Sequence, residues 1–405
     1  MAAYNRDMSS RKSTRRSVST GGYREYRTIN GRIARQVCPF VSRPGLSDWD
    51  TVPVAMELHA RHVRWERHER VLLLNCGHGA LGVWLGQRHP QVSLSLADTH
   101  HVAAQAARAN LDRMPHGTNV TVGLPADEGA YNAVVLLAPK GRALARLLIL
   151  AGRQVLAKDG MLYVAGPKAA GIKSVLADAE QLLGPPLRGE YGGGGRWAAF
   201  SRGADGPLTG AYAVDGVRPG TYHHWKVEIG GDVHHVATRP GVFSWRELDT
   251  ASRLLLESLQ LDHPARLADV GCGYGIIGLY LARRHPSCEV TMVDVDTLAC
   301  DCARQTLALN RVSTAQVHLG DGLQGLGQNY DAIVSNPPFH TGHNVNLQMT
   351  HQLIVEAHAA CALGGHLALV ANRFLPYDRA MRQRFGNVTT LAETSRFRVL
   401  QSTRR

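Results

Sequence analysis

The sequence lacks the cysteine spacing of a disulfide-stabilised or zinc-binding protein. Its seven cysteines stand at positions 38, 76, 272, 288, 300, 302 and 361, and no two of them form a CxxC pair. Cys300 and Cys302 are close in sequence, but residues i and i+2 on a helix do not share a face. We therefore expect buried thiols at this pair and, for the whole chain, a reducing cytosol, no disulfide framework and no metal site.

Long apolar runs are also missing. No stretch approaches the roughly 18 consecutive apolar residues of a membrane span, and the N-terminus has no apolar signal core. The apolar share of 44 % and the charged share of 19 % are those of a soluble globular protein. Because 405 residues suffice for two domains with separate cores, we expect a cytoplasmic two-domain protein that does not associate with membranes.

Acidic residues are scarce at the start of the chain. Residues 1–36 contain nine Arg or Lys but only Asp7 and Glu25, so this segment carries +7 of the formal net charge of +12. Such a basic, Ser-rich segment is compatible with an organelle transit peptide, a nucleic-acid-binding arm or a solvated disordered extension. We assign residues 1–40 as a basic disordered extension and leave the other two interpretations open.

What the sequence does contain is one unit twice. Residues 71–90, VLLLNCGHGALGVWLGQRHP, align without a gap to residues 267–286, LADVGCGYGIIGLYLARRHP, and eight of the twenty positions are identical. At the same offset of 196 residues, Asp98 closes VSLSLAD and Asp294 closes EVTMVD. Further on, YNAVVLLAPK in the first half parallels YDAIVSNPPF in the second. The two halves therefore share one order of elements.

Each half alternates apolar strands with helical segments, beginning with a strand and a glycine-rich turn. Such alternation predicts a parallel sheet covered by helices on both faces. The late strands are GMLYVAG and RWAAFSRG in the first half, and GHLALVAN and RFRVLQS in the second. Gly and Pro cluster in RGADGPLTG, which indicates a domain boundary, and residues 221–245 should form a connecting hairpin. The predicted fold class is α/β, with two tandem Rossmann-like domains at residues 41–207 and 208–405.

The glycine-rich turn of the second half is compatible with two kinds of cofactor. Residues 273–278 match the GxGxxG pattern, and Asp294 follows at a distance suited to a ribose, which favours a nicotinamide dehydrogenase. The turn nevertheless opens earlier, as DVGCGYG at residues 269–275. This is the usual form of a loop that passes under S-adenosylmethionine.

Three carboxylates are candidate contacts for that second cofactor. S-adenosylmethionine has no pyrophosphate, so its loop needs close backbone approach and a negative charge for the ammonium group. Asp269 can supply this charge directly or through water, and Asp294 has lone pairs for both ribose hydroxyls. Asp321, in HLGDGL, can accept from the adenine amino group.

The stretch DAIVSNPPFHTGH, residues 331–343, decides between the two cofactors. Pro337 and Pro338 cannot donate to a sheet, so they end the strand and leave carbonyl acceptors unpaired. The side-chain oxygen of Asn336 and the carbonyl of Pro337 can hold an exocyclic amine, which needs such help because its delocalised lone pair makes it a poor nucleophile. Phe339 offers a ring on which a base can stack. This tetrad is typical of amino-group methyltransferases, whereas a dehydrogenase has no need of it.

The second half resembles a known family through three segments. These are SNPPFH, the preceding GVFSWRELDTASRLLLESL and the following ANRFLPYDRAMRQRFGNVTTLAETSRFRVL. Together they resemble the bacterial ribosomal RNA guanine-N2 methyltransferases, nearest to the small-subunit (16S) type C, with the large-subunit type G as its sister. The resemblance runs from about residue 70 to the end of the chain and is strongest from residue 241 onward. It implies S-adenosylmethionine as cofactor and two tandem class I methyltransferase domains, of which only the C-terminal one is catalytic.

The resemblance also implies the residues of the site. The catalytic set is Asn336, Pro337, Pro338 and Phe339, and the cofactor set is Phe243, Asp269, Gly271, Gly273, Gly275, Asp294, Asp321 and Asn336. Phe243 falls on a segment that borders the methionine end of the cofactor in related enzymes, although a core aromatic is the alternative. His340 is either an RNA contact or a residue of loop packing.

The first half departs from this pattern where catalysis needs it. Leu73 replaces Asp269, Asn75 replaces Gly271, and LAPK at 137–140 replaces NPPF. We expect a degenerate domain that supports folding and binds RNA phosphate; a solvated basic loop is the alternative. The predicted RNA contacts are Lys140, Arg142, Lys168, Lys173 and His340.

The resulting hypothesis is S-adenosylmethionine-dependent methylation of the 2-amino group of a guanine in 16S rRNA. The expected partner is ribosomal RNA, the 30S subunit or its precursor. The alternatives are a guanine of 23S rRNA, an adenine amino group, the glutamine amide of a release factor, and a non-catalytic RNA-binding or ribosome-assembly protein. A monomer is favoured, because two domains in one chain can do what a dimer would.

Overall fold

The computed structural model describes residues 22–46, 48–112, 118–338 and 343–405. Within these ranges the chain forms two similar α/β units joined by the segment 202–222. No helix of the described part combines the length and the apolar character needed to cross a membrane.

Among its described residues, the first unit has nine strands and five α-helices. The strands are β1 Arg27–Ile33, β2 Gln36–Ser42, β3 Arg70–Leu74, β4 Ser93–Asp98, β5 Asn119–Val122, β6 Tyr131–Leu137, β7 Leu156–Pro167, β8 Arg188–Gly192 and β9 Gly195–Ser201. The helices are α1 Val54–His62, α2 Ala80–Arg88, α3 His101–Leu111, α4 Arg142–Val155 and α5 Ile172–Leu183.

The second unit repeats this order. Its strands are β10 His223–Ile229, β11 Asp232–Thr238, β12 Arg266–Val270, β13 Glu289–Asp294, β14 Ala315–Leu319, β15 Tyr330–Ser335, β16 Cys361–Asn372, β17 Thr389–Glu393 and β18 Phe397–Thr403. Its helices are α6 Thr250–Ser258, α7 Ile276–Arg284, α8 Thr297–Leu309, α9 His343–Ala360 and α10 Tyr377–Phe385.

Each unit is built on a seven-stranded mixed sheet. The strand orders are β5-β4-β3-β6-β7-β9-β8 and β14-β13-β12-β15-β16-β18-β17. The first five strands of each order pair in parallel, and the sixth, β9 or β18, pairs antiparallel with both of its neighbours, which the sequence did not indicate. Short connections can join antiparallel neighbours, and residues 193–194 alone join β8 to β9. The predicted tandem Rossmann-like fold and its late strands are confirmed.

The hairpin predicted between the units is present, and a second one precedes the first unit. Strands β10 and β11 pair antiparallel around Gly230 and Gly231. Strands β1 and β2 form the same hairpin 196 residues earlier. The prediction that residues 1–40 are a disordered extension is therefore wrong for residues 22–40. The error arose because the assignment was based on the positive charge of the segment and gave no weight to the apolar residues of β2. Two of these, Cys38 and Phe40, are buried in the core. Residues 1–21 lie outside the described residues.

The core lies on both faces of each sheet. In β15, Ala332 and Val334 pack into one cluster with α6, α7 and α8, whereas Ile333 packs into the opposite cluster with α9 and α10. All three are fully buried, as successive side chains of a strand point to opposite faces. Fully burying a side chain such as Ile333 contributes about 1.5–3 kcal/mol. Strands with two buried faces read as continuous apolar runs, which explains why the sequence located them.

The two units contact each other through equivalent residues. The amide of His101 donates to the carbonyl of Val295 at 2.7 Å, and the amide of Thr297 donates to the carbonyl of Thr99 at 2.9 Å. The positions 99 and 295, and 101 and 297, differ by the repeat offset of 196 residues. These reciprocal contacts are those of a local two-fold axis, so the units associate as two subunits of a symmetric dimer do.

Candidate cofactor and methyl-transfer site

The candidate site lies where the order of the second sheet reverses. Strand β12 has β13 on one side and β15 on the other, because the chain first builds outward to β14 and then crosses back. The ends of these strands meet: Val270 pairs with Val293 and with Ser335. Ligands of open α/β sheets bind in the crevice at this point.

A cavity of about 450 Å³ opens at this edge. Its walls include the turn after β12, the end of β13, the loop after β14 and the NPP segment after β15. The predicted site residues that line it are Phe243, Gly271, Gly273, Asp294, Asp321, Asn336, Pro337 and Pro338. Residues of the first unit also line it, namely Tyr23, Arg24, Gly45 and His100. The cavity therefore lies between the two units, which the sequence did not predict.

The glycines of the turn have different roles. Gly271 has a φ of +74°, an added Cβ there would meet no atom within 4 Å, and its amide donates to Val293 at 2.8 Å. It can therefore present bare backbone to a ligand. Gly275 does not line the cavity; an added Cβ would lie 2.8 Å from Met292 and 3.0 Å from Ala303. Packing of the turn against β13 and α8 accounts for Gly275, so no cofactor contact is needed to explain it.

Asp294 presents a carboxylate to the cavity from the end of β13. Its Oδ2 accepts from the amide of Gly273 at 2.9 Å, and its Oδ1 accepts from the amide of Asp296 at 3.0 Å. Each oxygen keeps a further lone pair, which suits a ribose diol. Burial raises the pKa of Asp294 to about 6.

Asp269 is buried beneath the turn. Its Oδ2 accepts from the amide of Gly278 at 2.9 Å, whereas its Oδ1 has no hydrogen-bond partner. Burial raises the pKa of this carboxyl to about 7. Asp269 is fully buried and does not line the cavity, so its contact with the ammonium group stays a prediction.

Asp321 is held by the first unit. Its Oδ2 accepts from Arg43 at 2.8 Å and from Arg24 at 3.0 Å, and its Oδ1 accepts from the hydroxyl of Tyr23 at 3.3 Å. Burial and the nearby Asp321 raise the pKa of Tyr23, which keeps that hydroxyl a donor. If Asp321 also accepts from the adenine amino group, as predicted, it must do so with a carboxylate that already bonds to Tyr23, Arg24 and Arg43. The sequence carried no local signal for these partners, because about 300 residues separate them from Asp321.

The NPP segment ends β15 at the floor of the cavity. The Asn336 side chain donates through Nδ2 to Asp249 at 3.2 Å and to Ser252 at 2.8 Å. Its Oδ1 is buried and accepts no hydrogen bond from any residue that the structure describes. Pro337 is buried and Pro338 is exposed. The predicted stacking residue Phe339 and the neighbouring His340 lie outside the described residues.

Phe243 borders the opposite wall of the cavity. It follows Val242, which is buried and also lines the cavity. Phe243 itself is 52 % exposed, so it is not the core aromatic that was the alternative interpretation. An exposed ring beside a cavity is free to contact a bound ligand.

These features fit S-adenosylmethionine. Gly271 allows close backbone approach, Asp294 offers acceptors for a ribose, and Asn336 offers an unpaired acceptor at the strand end. A buried acceptor without a partner is uncommon and indicates a group that a ligand completes.

The equivalent region of the first unit has different side chains and contacts. Leu73 is buried where the second unit has Asp269, and Asn75 donates through Nδ2 to the carbonyl of Leu137 at 2.7 Å. The ring of His78 stacks on Phe40 with centroids 4.2 Å apart. Leu137 takes the place of Asn336, so the strand end carries no side-chain acceptor. The first unit therefore lacks the groups that would hold an amine.

Four predicted RNA-binding cations lie at one edge of the first sheet. Lys140 and Arg142 follow β6, and Lys168 and Lys173 follow β7; all four are exposed. Strands β6 and β7 are parallel neighbours, so these segments emerge side by side. Arg142 is partly neutralised, because it forms two hydrogen bonds of 2.7 Å with Asp178.

Comparison with known proteins agrees with this geometry. The family model "Methyltransferase small domain" matches residues 38–182 and 234–401, one match for each unit. The ribosomal RNA small subunit methyltransferase C of Alteromonas mediterranea is 32 % identical over 286 residues, which is 71 % of this chain and 77 % of that protein. The protein of the same name from Hahella chejuensis is 30 % identical over 352 residues, covering 83 % of this chain and 94 % of that protein.

A solved structure covers nearly the whole chain. The Thermus thermophilus 16S rRNA N2 G1207 methyltransferase, in complex with AdoMet and guanosine, superposes with a TM-score of 0.78 at 28 % identity. The match covers 95 % of this chain and 99 % of that chain. The chain therefore belongs to the methyltransferase small-domain family, among the ribosomal RNA small subunit methyltransferases C, and is an enzyme that uses S-adenosylmethionine as its cofactor.

Proposed function

We propose that this enzyme methylates the exocyclic 2-amino group of a guanine in 16S rRNA. The observation that carries the proposal is the buried, unpartnered Oδ1 of Asn336 at the end of β15, beside the cavity. The names of the relatives supply the RNA, and the name of the solved structure supplies the guanine N2 position.

The chemistry proposed for the site is orientation of an amine. When bound, S-adenosylmethionine would supply the methyl group, and Gly271 and Asp294, which line the cavity, would hold it. Asn336 Oδ1 and the carbonyl of Pro337 accept from the two amino hydrogens and hold the nitrogen in line for attack. As the methyl group arrives, positive charge develops on the nitrogen, and these two oxygens stabilise it. No strong base is needed for attack, because the proton leaves after transfer.

Phe339 and Phe243 are proposed to contact the ligands with their rings. Phe339 follows Pro338 in sequence and is proposed to stack on the target base, an interaction worth roughly 1–3 kcal/mol. Phe243, exposed at the wall of the cavity, is proposed to border the methionine end of the cofactor.

The first unit is proposed to bind RNA phosphate next to the catalytic cavity. Its exposed cations Lys140, Arg142, Lys168 and Lys173 share one sheet edge. That edge adjoins the site: a Cβ added at Gly241 would lie 2.9 Å from Leu144, half a turn beyond Arg142 in α4. Gly241 itself lines the cavity. A strand bound at the cationic edge can therefore continue into the cavity, which gives affinity while the base contacts give specificity.

The protein is proposed to act as a cytoplasmic monomer on the 30S subunit or its precursor. The two units already bury, within one chain, the reciprocal contact around Val295 and Thr99 that a symmetric dimer would use. Light scattering of the purified protein should give the mass of a single 44.0 kDa chain. A stable dimer would contradict this part of the proposal.

The direct test is methyl transfer from radiolabelled S-adenosylmethionine to unmodified 30S subunits, 16S RNA and 23S RNA in separate reactions, followed by nucleoside analysis. We expect label in N2-methylguanosine from the small-subunit material. Label only in 23S RNA, or only in N6-methyladenosine, would overturn the substrate.

The catalytic role of the strand end is tested by Asn336→Ala. We expect transfer to fall by roughly 10²- to 10³-fold, the loss typical of removing one group that stabilises developing charge. Calorimetry should show that S-adenosylmethionine still binds. The matched control is Asn75→Gly, which changes an asparagine of the first unit to the glycine found in the second and should leave transfer unchanged. Full activity of Asn336→Ala would rule out the proposed mechanism.

A further inference from the structure

Two residues at the start of α6 determine how the amide of Asn336 is oriented. Nδ2 of Asn336 donates to Oδ2 of Asp249 and to Oγ of Ser252, at 3.2 and 2.8 Å. Asp249 is the N-cap of α6, and the same Oδ2 accepts from the amide of Ser252 at 3.0 Å. The amide is therefore tied to a helix terminus that the same carboxylate holds in place.

Only one of the two amide orientations fits this environment. An ionised carboxylate accepts hydrogen bonds and donates none. Rotating the Asn336 amide by half a turn would place its carbonyl oxygen against the Asp249 carboxylate, with two negative partial charges in contact. The donor side must therefore face α6, which leaves Oδ1 as the acceptor that is buried without a partner.

We propose that Asp249 and Ser252 are positioning residues that keep Oδ1 of Asn336 available to the amino group being methylated. The inference rests on the proposed function, since it requires an amine at Asn336. Ser252 lines the cavity and Asp249 does not, so Asp249 acts through Asn336.

Asp249 also polarises the amide. Its negative charge draws the Nδ2 hydrogens of Asn336 and increases the electron density on Oδ1, because hydrogen bonds in series strengthen one another. During methyl transfer, positive charge develops on the substrate nitrogen whose hydrogen is bonded to Oδ1. A more negative Oδ1 therefore binds the transition state better than the ground state.

The first unit offers an internal comparison. At the repeat offset of 196 residues, Pro53 stands for Asp249 and Met56 stands for Ser252. Pro53 is the N-cap of α1 and makes no side-chain cap hydrogen bond, and Met56 is buried. The unit that has Leu137 at the strand end therefore lacks both of the groups that would orient an amide there.

A reciprocal exchange of two isosteric side chains tests the proposal. Asn336→Asp alone places two carboxylates against each other and should lower kcat by roughly 10²-fold, as loss of an oriented group does. Adding Asp249→Asn lets the amide at position 249 donate to the carboxylate at position 336, which is the reverse of the wild-type hydrogen bond. Asparagine is also a favourable N-cap residue, so α6 keeps its cap. We expect the double variant to regain at least about ten-fold in kcat over Asn336→Asp, which is non-additive behaviour of residues in contact.

Single variants separate positioning from binding. Asp249→Ala should lower kcat by about ten-fold while KM for the RNA and Kd for S-adenosylmethionine stay within about two-fold, because the interaction acts in the transition state. Ser258→Ala, on the same helix, is the control, since its hydroxyl bonds only to the carbonyls of Leu254 and Leu255. If Asp249→Ala does not fold, Asp249→Asn and Ser252→Ala retain the helix cap and are measured instead.

The outcomes distinguish this inference from the function on which it rests. If the wild-type protein transfers no methyl group to RNA, the proposed function fails. If the wild type is active but Asp249→Ala matches Ser258→Ala, or the double variant is no better than Asn336→Asp, the positioning role is wrong and the proposed function stands.

Discussion

Asp98 and Asp294 occupy the same place in the two units and make the same two contacts. The two carboxylates end β4 and β13, and each accepts from two backbone amides, one in the glycine-rich turn and one two residues after the carboxylate, at 2.8 to 3.0 Å. The turn therefore needs this carboxylate whether or not a cofactor is bound. The comparison teaches that a glycine-rich turn and its acidic residue are evidence for a fold first and for a ligand second.

What distinguishes the units is the neighbourhood of that turn. In the second unit, Asn336 offers an unpaired acceptor and lines an open cavity. In the first unit, Leu137 takes its place, and the side chain of Asn75 fills the strand end by bonding to the Leu137 carbonyl. A few side chains at one strand end thus separate a catalytic unit from a supporting one.

The largest effect is expected at Arg43, compared with its repeat counterpart Arg239. Both arginines are buried, but Arg43 lies 2.8 Å from the buried Asp321, whereas Arg239 lies 3.6 Å from the half-buried Asp301. Arg43→Ala leaves the buried Asp321 with Arg24 as its remaining described ion-pair partner, so the free energy of unfolding should fall by roughly 3 kcal/mol, the lower end of the range for breaking a buried pair. Arg239→Ala should cost about 1 kcal/mol or less. Urea denaturation of both variants measures the free energy of unfolding. Equal decreases in the two variants would contradict the proposal that the Arg43–Asp321 pair contributes more to stability than the Arg239–Asp301 pair.

The second prediction compares Asp294→Asn with Asp98→Asn. Both changes keep the shape of a side chain that accepts from two amides, so we expect similar changes in thermal midpoint. Only Asp294→Asn should weaken S-adenosylmethionine, by about 10- to 100-fold, because charged acceptors contribute roughly 1.5–3 kcal/mol to a hydrogen bond. Calorimetric titration of both variants with S-adenosylmethionine measures this difference in affinity. A comparable loss of cofactor affinity in Asp98→Asn would show that the first unit also binds cofactor.

The third prediction separates RNA affinity from catalysis. Replacing Lys140, Lys168 and Lys173 together by Ala should weaken RNA binding and reduce the slope of log K against log salt by up to about 0.9 per lost phosphate contact. The rate at saturating RNA should stay the same, since these exposed residues lie on the first unit. Fluorescence titrations at several salt concentrations measure the slope. An unchanged slope would identify these lysines as merely solvated.

The smallest effect is a gain of stability from Asp269→Asn. Burial raises the pKa of Asp269 to about 7, so this group stabilises the ligand-free fold below its ordinary pKa of about 4 and loses that contribution as pH rises through 7. Removing the charge should raise the free energy of unfolding at pH 8 relative to the wild type, by an amount on the order of 1 kcal/mol, with little difference at pH 4; thermal denaturation at both pH values measures this as a shift of the midpoint. A variant less stable than the wild type at pH 8 would contradict this interpretation.

The sequence predicted those parts of the site whose conformation is determined by residues close together in the chain. Consecutive prolines end a strand, and the carboxyl ends of parallel strands share one edge, so Asn336 and Asp294 had to converge. The hairpin at β1 and β2 was missed, because nine basic residues within 36 outweighed the alternation of buried side chains in β2. A search for the repeat offset of 196 residues upstream of the first glycine-rich turn would have found it.

By itself, the sequence determined the duplicated α/β units, the strand end that carries Asn336 and the loss of that end in the first unit. These features follow from local alternation and from the backbone chemistry of Gly and Pro. Only the tertiary structure decided that Arg43 would anchor Asp321 and that Asp249 would orient Asn336. Both pairs join segments that are far apart in the sequence, so their geometry depends on how helices and units pack rather than on any local pattern.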